Sequence, residues 1–292
     1  TILHYAIPSP MSEALTQLPR RRVLHYHNVT PAHFFALYDP LIFKWAATGR
    51  HELASRAGQV DLALGVSEYN RQELVALGFD NTDVMPIVVE PRSGRAGADR
   101  PALERVLNDG LTNILFVGRI APNKRLEDHL RLAEHYKRYV DPDYRFIFVG
   151  RTDAVPRYYA ALRALMLEYG MAPDRFLFPG LVSDADLAVY YHSAHAYLSL
   201  SEHEGFCVPL IEAMAANVPV LAYGAAAVPE TLGGAGVCFT PKDLEWAAEM
   251  LGMLVYDEEL RTAVIARQRQ RAADFGPAAA AKRLDALITR LS

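Results

Sequence analysis

Between Asn113 and Tyr223 the sequence alternates short apolar runs with longer segments of helical spacing. Asn113–Val117, Tyr144–Val149, Arg175–Phe178, Ala196–Leu200 and Pro219–Tyr223 read as strands. Helices are predicted between them at Leu126–Tyr139, at Arg157–Tyr169, after the capping-box pattern that begins at Ser183, and around Glu212. Strands separated by a dozen or more residues of helix pair in parallel, and the helices then cover both faces of the sheet. A doubly wound α/β sheet is what that alternation permits.

A looser version of the same rhythm precedes it. Strands are predicted at Ile2–Ile7, Val23–His27, Asp61–Val66 and Val84–Val89. Helices are predicted at Met11–Leu18, Asp39–Arg56 and Glu68–Leu77, the last with Ser67 as its N-cap and Gly78 as its stop. From Glu90 to Arg100 the chain turns rich in Pro, Gly, Arg and Ser, which marks a domain boundary. Three helices close the chain, at Leu244–Val255, Glu259–Ala273 and Pro277–Leu291. The 292 residues thus divide into a first Rossmann-like domain at 1–95, a second at 96–274, and a final helix at 275–292 expected to pack back on the first.

Bulk composition removes several classes. Hydrophobic residues make up 51% of the chain and charged ones 22%, so a core is affordable and disorder is not the reading. A net charge of −4 gives no footprint for nucleic acid, so an anionic ligand must be held by a local basic cluster. Two cysteines, Cys207 and Cys238, do not amount to a disulfide framework, and a reducing cytosol is the simple reading. No apolar run reaches the ~18 residues of a spanning helix. The chain begins at Thr1 rather than Met, so the expectation is either that it was processed or cut or that something precedes it.

The chemistry-bearing residues cluster where strands end. After Ala196–Leu200 comes His203-Glu204-Gly205-Phe206-Cys207-Val208-Pro209-Leu210-Ile211-Glu212. Pro209 suits a first helical turn, Gly205 permits close backbone approach, and free N–H groups of that turn form an anion site. After Asn113–Val117 comes Gly118-Arg119, with Lys124 five residues beyond Arg119. Ligands in open α/β sheets sit just past the carboxyl ends of the strands, so both loops face one crevice. By themselves, two glutamates flanking a buried helix, and two cations in a solvated loop, would satisfy these patterns equally well.

Together, in this order, they resemble the donor site of the family 4 glycosyltransferases, a retaining group with the GT-B fold of two Rossmann-like domains. The likeness runs from about Val23 to the C-terminus and is strongest from Asn113 to Glu230. It rests on Glu204-x7-Glu212 with Gly-Phe after the first Glu and Pro before the second, and on Gly-Arg-x4-Lys at Gly118–Lys124. The resemblance implies transfer of a sugar from a nucleotide-diphosphate donor, UDP-linked first and GDP-linked next, to a hydroxyl acceptor. No metal or other cofactor is implied. Arg119 and Lys124 would hold the diphosphate with backbone from Gly118 and from Gly205, Phe206, Cys207 and Val208. Glu204 would orient the sugar, Glu212 the ribose, and Val182 would meet the base. His27, at a strand end, matches a histidine that faces the reacting sugar; a hydrogen-bonded structural role suits it as well, and His4 and His25 are weaker candidates.

Departures from the family pattern carry their own expectations. Ala225–Ala227 stand where glycines are usual, and Gly150-Arg151 where two or three glycines are usual. No glycine-rich loop precedes His4, and no G-x-G-x-x-G occurs elsewhere, so the first domain is expected to be incomplete or completed by a partner chain. The alternative reading is a non-catalytic nucleotide-sugar-binding subunit or fragment; an epimerase or phosphorylase of the same architecture is a third. The run Arg20–Arg22 could meet anionic lipid, giving a cytoplasmic protein with peripheral contact at the inner face of the membrane.

Overall fold

The computed structural model describes residues 1–19, 21–90 and 100–291. Two parallel sheets organise it. The first has strands β1 (Ile2–Tyr5), β2 (Val23–Tyr26), β3 (Leu62–Gly65) and β4 (Thr82–Val84), in that spatial order. Helices α1 (Pro10–Gln17), α2 (Pro40–Ser55) and α3 (Glu68–Ala76) connect them. Each connection begins on a residue that satisfies an orphan helix N–H. Ser9 accepts from Met11, Asp39 from Leu41 and Ile42, and Ser67 from Asn70.

The second sheet contains β5 (Thr112–Val117), β6 (Tyr144–Val149), β7 (Phe176–Gly180), β8 (Ala196–Ser199), β9 (Val220–Tyr223) and β10 (Val237–Phe239). Its spatial order is β10-β9-β8-β5-β6-β7, all parallel. From β5 the chain moves outward to β6 and β7, then crosses back to β8 and winds the other way. The reversal falls between β5 and β8, and the doubly wound expectation holds there. In the first sheet the four strands run in one direction, the order of one half of such a sheet.

Helices α4 (Pro101–Leu107), α5 (Leu126–Tyr139), α6 (Pro156–Glu168), α7 (Asp184–His192), α8 (Val208–Ala215), α9 (Val228–Leu232), α10 (Leu244–Tyr256), α11 (Glu258–Ala273) and α12 (Pro277–Leu291) complete the chain. α10 packs on α5, and α11 on α8. An apolar cluster runs from Tyr26, Val29 and Phe35 of the first domain to Ala121 and Tyr158 of the second, so the two domains share a core. Leu287 of α12 sits with Val23, Leu62 and Leu64 on the first sheet.

Two differences from the sequence reading have plain causes. The predicted strand Val84–Val89 is instead β4 at Thr82–Val84. Its ladder ends when Met85 N–H reaches Gly65 O, and Pro86 has no N–H to continue it. The apolar residues beyond, Ile87 and Val89, join the second domain's core, and Val89 N–H donates to Phe275 O. Short β10, α4 and α9 escaped the reading because three to seven residues are too few to show a period. The boundary expected near residue 95, and Arg20 of the basic run, lie outside the described residues. Arg22 of that run donates to Leu18 O and Gln59 O and is turned toward the protein. Among the described residues no helix is long and apolar enough to cross a membrane.

Candidate active site at the strand-order reversal

At the reversal between β5 and β8, where open α/β sheets hold their ligands, neighbouring strand ends meet at glycine. Gly150, after β6, has φ +150°, and a Cβ there would stand 1.9 Å from Gly118 O. The loops after β5 and β6 therefore touch backbone to backbone, closer than any side chain allows. Gly118 N–H donates to Val149 O, and Gly150 N–H to Gly180 O, which fixes three neighbouring strand ends relative to one another.

From Gly118 the chain passes through Arg119 into a single 3-10 turn at Pro122–Lys124. That turn is tied to the loop after β8 at both edges. Asn123 Nδ2 donates to His203 O at 3.0 Å, and Glu202 N–H to Asn123 O at 2.9 Å. Lys124 and Glu204, eighty residues apart, thereby meet at 2.5 Å with side chains only 14% and 9% exposed. At such burial either charge alone would be costly, and each makes the other tolerable. Arg119 is exposed and, among the described residues, makes no ion pair.

Glu204 leads into a corner whose backbone is strained. Cys207, the N-cap of α8, has φ +70°, in the left-handed region that a Cβ disfavours. Burial, then the Glu204 carboxylate beside it, push its thiol well above the ordinary range, so it stays protonated. Phe206 turns its ring into the core, edge-on to Phe275 at 5.3 Å, while its carbonyl accepts from Thr231 Oγ1. Val208 and Pro209 open α8, and Glu212 lies one turn in, buried, where Tyr191 Oη donates to its Oε2 at 2.9 Å. Val182 follows edge strand β7, half-buried against the second domain's core.

The first domain closes over this corner with residues the sequence had not marked. A Cβ on Gly205 would lie 2.4 Å from Asn28 Cβ, so the glycine makes room for a first-domain side chain. Ser67 Oγ donates to Gly205 O at 2.7 Å while also capping α3. Glu230 accepts from the first two N–H groups of α3, Glu68 and Tyr69. Ala226 adopts φ +52°, so this alanine keeps the left-handed conformation a glycine would have, and Ala227 N–H ties the loop to Glu204 O. Tyr69 Oη stands 3.4 Å from His203 Nε2, and burial lowers that imidazole to about 4. Spacing could not show these pairings, since each joins residues more than 130 positions apart or depends on a packed neighbour.

His27 is packed with His4 and His25 at the end of β2, its Nε2 2.8 Å from His4 Nδ1. Burial first, then the two neighbouring imidazoles, lower it to about 4. It makes no hydrogen bond to Lys124 or Glu204; the strand end reaches the corner through Asn28, the next residue. A separate cavity of about 310 Å³ lies between the domains, lined by Glu68, Pro86, Phe206, Glu230, Arg271 and Arg283. It contains neither Lys124 nor Glu204.

Comparisons with known proteins agree with this layout. The O-antigen chain mannosyltransferase B of Escherichia coli is 30% identical over 110 residues, which cover 38% of this chain and 29% of that protein. The GDP-mannose-dependent alpha-mannosyltransferase of Mycolicibacterium smegmatis is 36% identical over 114 residues, covering 39% of this chain and 26% of that one. The aligned part thus spans less than a third of either relative's length. Among solved structures, Anabaena HepE in complex with UDP-glucose superposes with a TM-score of 0.74 at 16% identity. That match covers 93% of this chain and 72% of HepE, and it shows the GT-B-like fold of two parallel-sheet domains. Residues 103–271, more than half of the chain, match the model described as glycosyl transferases group 1, and the chain belongs to that family.

Proposed function

We propose that this chain transfers a hexose from a nucleotide-diphosphate sugar to an acceptor hydroxyl, with retention at the anomeric carbon. The observation that carries the reading is the buried Lys124–Glu204 pair at the strand-order reversal, with Arg119, exposed and in no ion pair among the described residues, in the same loop as Lys124. Breaking a sugar–diphosphate bond leaves charge on phosphate oxygens. Fixed cations and the free N–H groups of a helix's first turn stabilise that charge without reorganising. Arg119 and Lys124 take the diphosphate together with backbone at Gly118 and at Gly205–Val208. Glu204, already held in place by Lys124, orients the sugar, and Glu212 accepts from the ribose. Val182 flanks the base, and His27 faces the acceptor side. Asn28 Oδ1 and Asn123 Oδ1, buried without hydrogen-bond partners, are acceptors that sugar hydroxyls could satisfy. The leaving phosphate takes the acceptor's proton, so the two glutamates are not a hydrolase-type acid and base pair.

Uridine is the commonest donor base by resemblance, and HepE carries UDP-glucose. The mannosyltransferase relatives, one of them GDP-mannose-dependent, give GDP-mannose equal weight. A cytoplasmic setting, and contact of Arg21 with an anionic membrane face, belong to the same reading.

A thermal-shift screen of UDP, GDP and ADP against the chain tests it. A ligand bound only by the native state at 100 times its Kd adds about 2.7 kcal/mol of stability. A base-selective upshift that disappears in Lys124→Ala is expected; no upshift with any nucleotide overturns the reading. Upshift without transfer of any hexose would instead favour a binding subunit.

A further inference from the structure

The three histidines at the end of the first sheet do more than pack. His4 lies on β1 directly opposite His25 on β2 in the parallel register, and His27, the residue after β2, packs beside His25. The ring centroids are 5.1, 5.0 and 4.5 Å apart. Each ring offers one nitrogen, and the three nitrogens lie within 4.8 Å of one another. His25 Nε2 is 2.8 Å from Met85 O. A carbonyl only accepts, so Nε2 carries the proton and the His25 lone pair is on Nδ1. That is the backbone-carbonyl support that fixes the tautomer of metal-bound histidine.

We infer that His4, His25 and His27 form a binding site for a divalent transition-metal cation such as Zn²⁺ or Co²⁺. A nitrogen-only donor set selects these ions over Mg²⁺ and Ca²⁺, which demand oxygen. Three imidazoles plus one water complete a tetrahedron, with Zn–N distances of about 2.0–2.1 Å that set ligand nitrogens roughly 3.3 Å apart. His4 Nδ1 and His27 Nε2, now 2.8 Å apart and sharing a proton, need to part by about half an ångström, with that proton moving to the other nitrogen of its own ring, and any pair near the 4.8 Å limit needs to close. His4 is exposed, so the adjustment falls on its ring. The site does not depend on the transfer reading. If His27 does face the acceptor, as proposed above, a bound ion withdraws it, and occupancy inhibits rather than assists.

Titration of the full chain with Co²⁺ tests the site by its visible spectrum. One ion per chain with the intense bands of tetrahedral cobalt is expected, displaced by Zn²⁺. His4→Ala should weaken binding by more than the ~10–100-fold that loss of an outer partner costs, and the exposed His51→Ala should leave it unchanged. A weak octahedral spectrum, or equal binding by wild type and His4→Ala, overturns the site. Inhibition of transfer by Zn²⁺ is a separate readout: tetrahedral cobalt without inhibition keeps the site and removes His27 from the acceptor side.

Discussion

The two walls of the site are built in opposite ways. On the second domain's side, Gly118, Lys124, Gly150 and Glu204 leave the ends of β5, β6 and β8, which are neighbours in one sheet. Strand pairing sets these loops side by side, the Asn123 hydrogen bonds join two of them, and a backbone contact that only glycine permits locks the arrangement. On the first domain's side, Asn28, Ser67 and Tyr69 reach the same corner from the end of β2 and the start of α3; Asn28 packs against Gly205, and Ser67 and Tyr69 are hydrogen-bonded to residues of the other domain. The first wall is a property of a sheet. The second is a property of an interface, and it can be loosened without unfolding either domain.

Breaking the second domain's wall should have the largest effect. Lys124→Ala or Glu204→Ala is expected to lower transfer at least ~100-fold, the cost of removing one preorganised electrostatic contact. Steady-state rates with a nucleotide-sugar donor measure it, and near-normal turnover in either variant would refute the assignment. Next comes the contrast between two glycines. Gly150→Ala places a Cβ against the Gly118 carbonyl and should cost about 3 kcal/mol in urea unfolding, since backbone on both sides cannot yield. The nearest atoms that a Cβ on Gly205 would meet all belong to the Asn28 side chain across the interface, so Gly205→Ala should part the domains, with an increased radius of gyration by X-ray scattering and a smaller loss of stability. Equal stability losses in the two would erase the distinction between the walls.

His203 sharpens the comparison through pH. Burial holds it near 4 when folded, against about 6.5 when unfolded. Between those values the unfolded chain binds the proton first, so the contribution is fully present above pH 6.5 and is lost as pH falls toward 4. The full difference is worth up to about 3 kcal/mol. His203→Gln should flatten the stability profile in that window by a measurable part of this; an unchanged slope would show that the imidazole is not held neutral. The smallest effect is expected at Glu230→Ala. It frees the Glu68 and Tyr69 N–H groups and should cost about 1–2 kcal/mol, the value of a helix cap, read as an earlier transition of the first domain.

The sequence by itself determined the alternation of strands and helices, most helix starts, and the order of the motif residues. Those depend on local chemistry: apolar period, Ser and Asp caps, and prolines in first turns. Leu126–Tyr139 and Tyr144–Val149 are legible to the residue because each has a clear period or apolar run, with Asp141-Pro142 separating the two and Gly150 closing the second. Tertiary structure alone decided that Gly205 accommodates Asn28, that Glu230 caps a helix of the other domain, and that Ala226 holds a left-handed conformation. It also decided that three histidines from two strands converge. Such facts depend on which distant surfaces pack, and a linear pattern carries no record of a partner more than a hundred residues away. The apolar run 84–89 makes the same point in reverse: its composition suits a strand, but Pro86 and the pull of the second domain's core gave it another place.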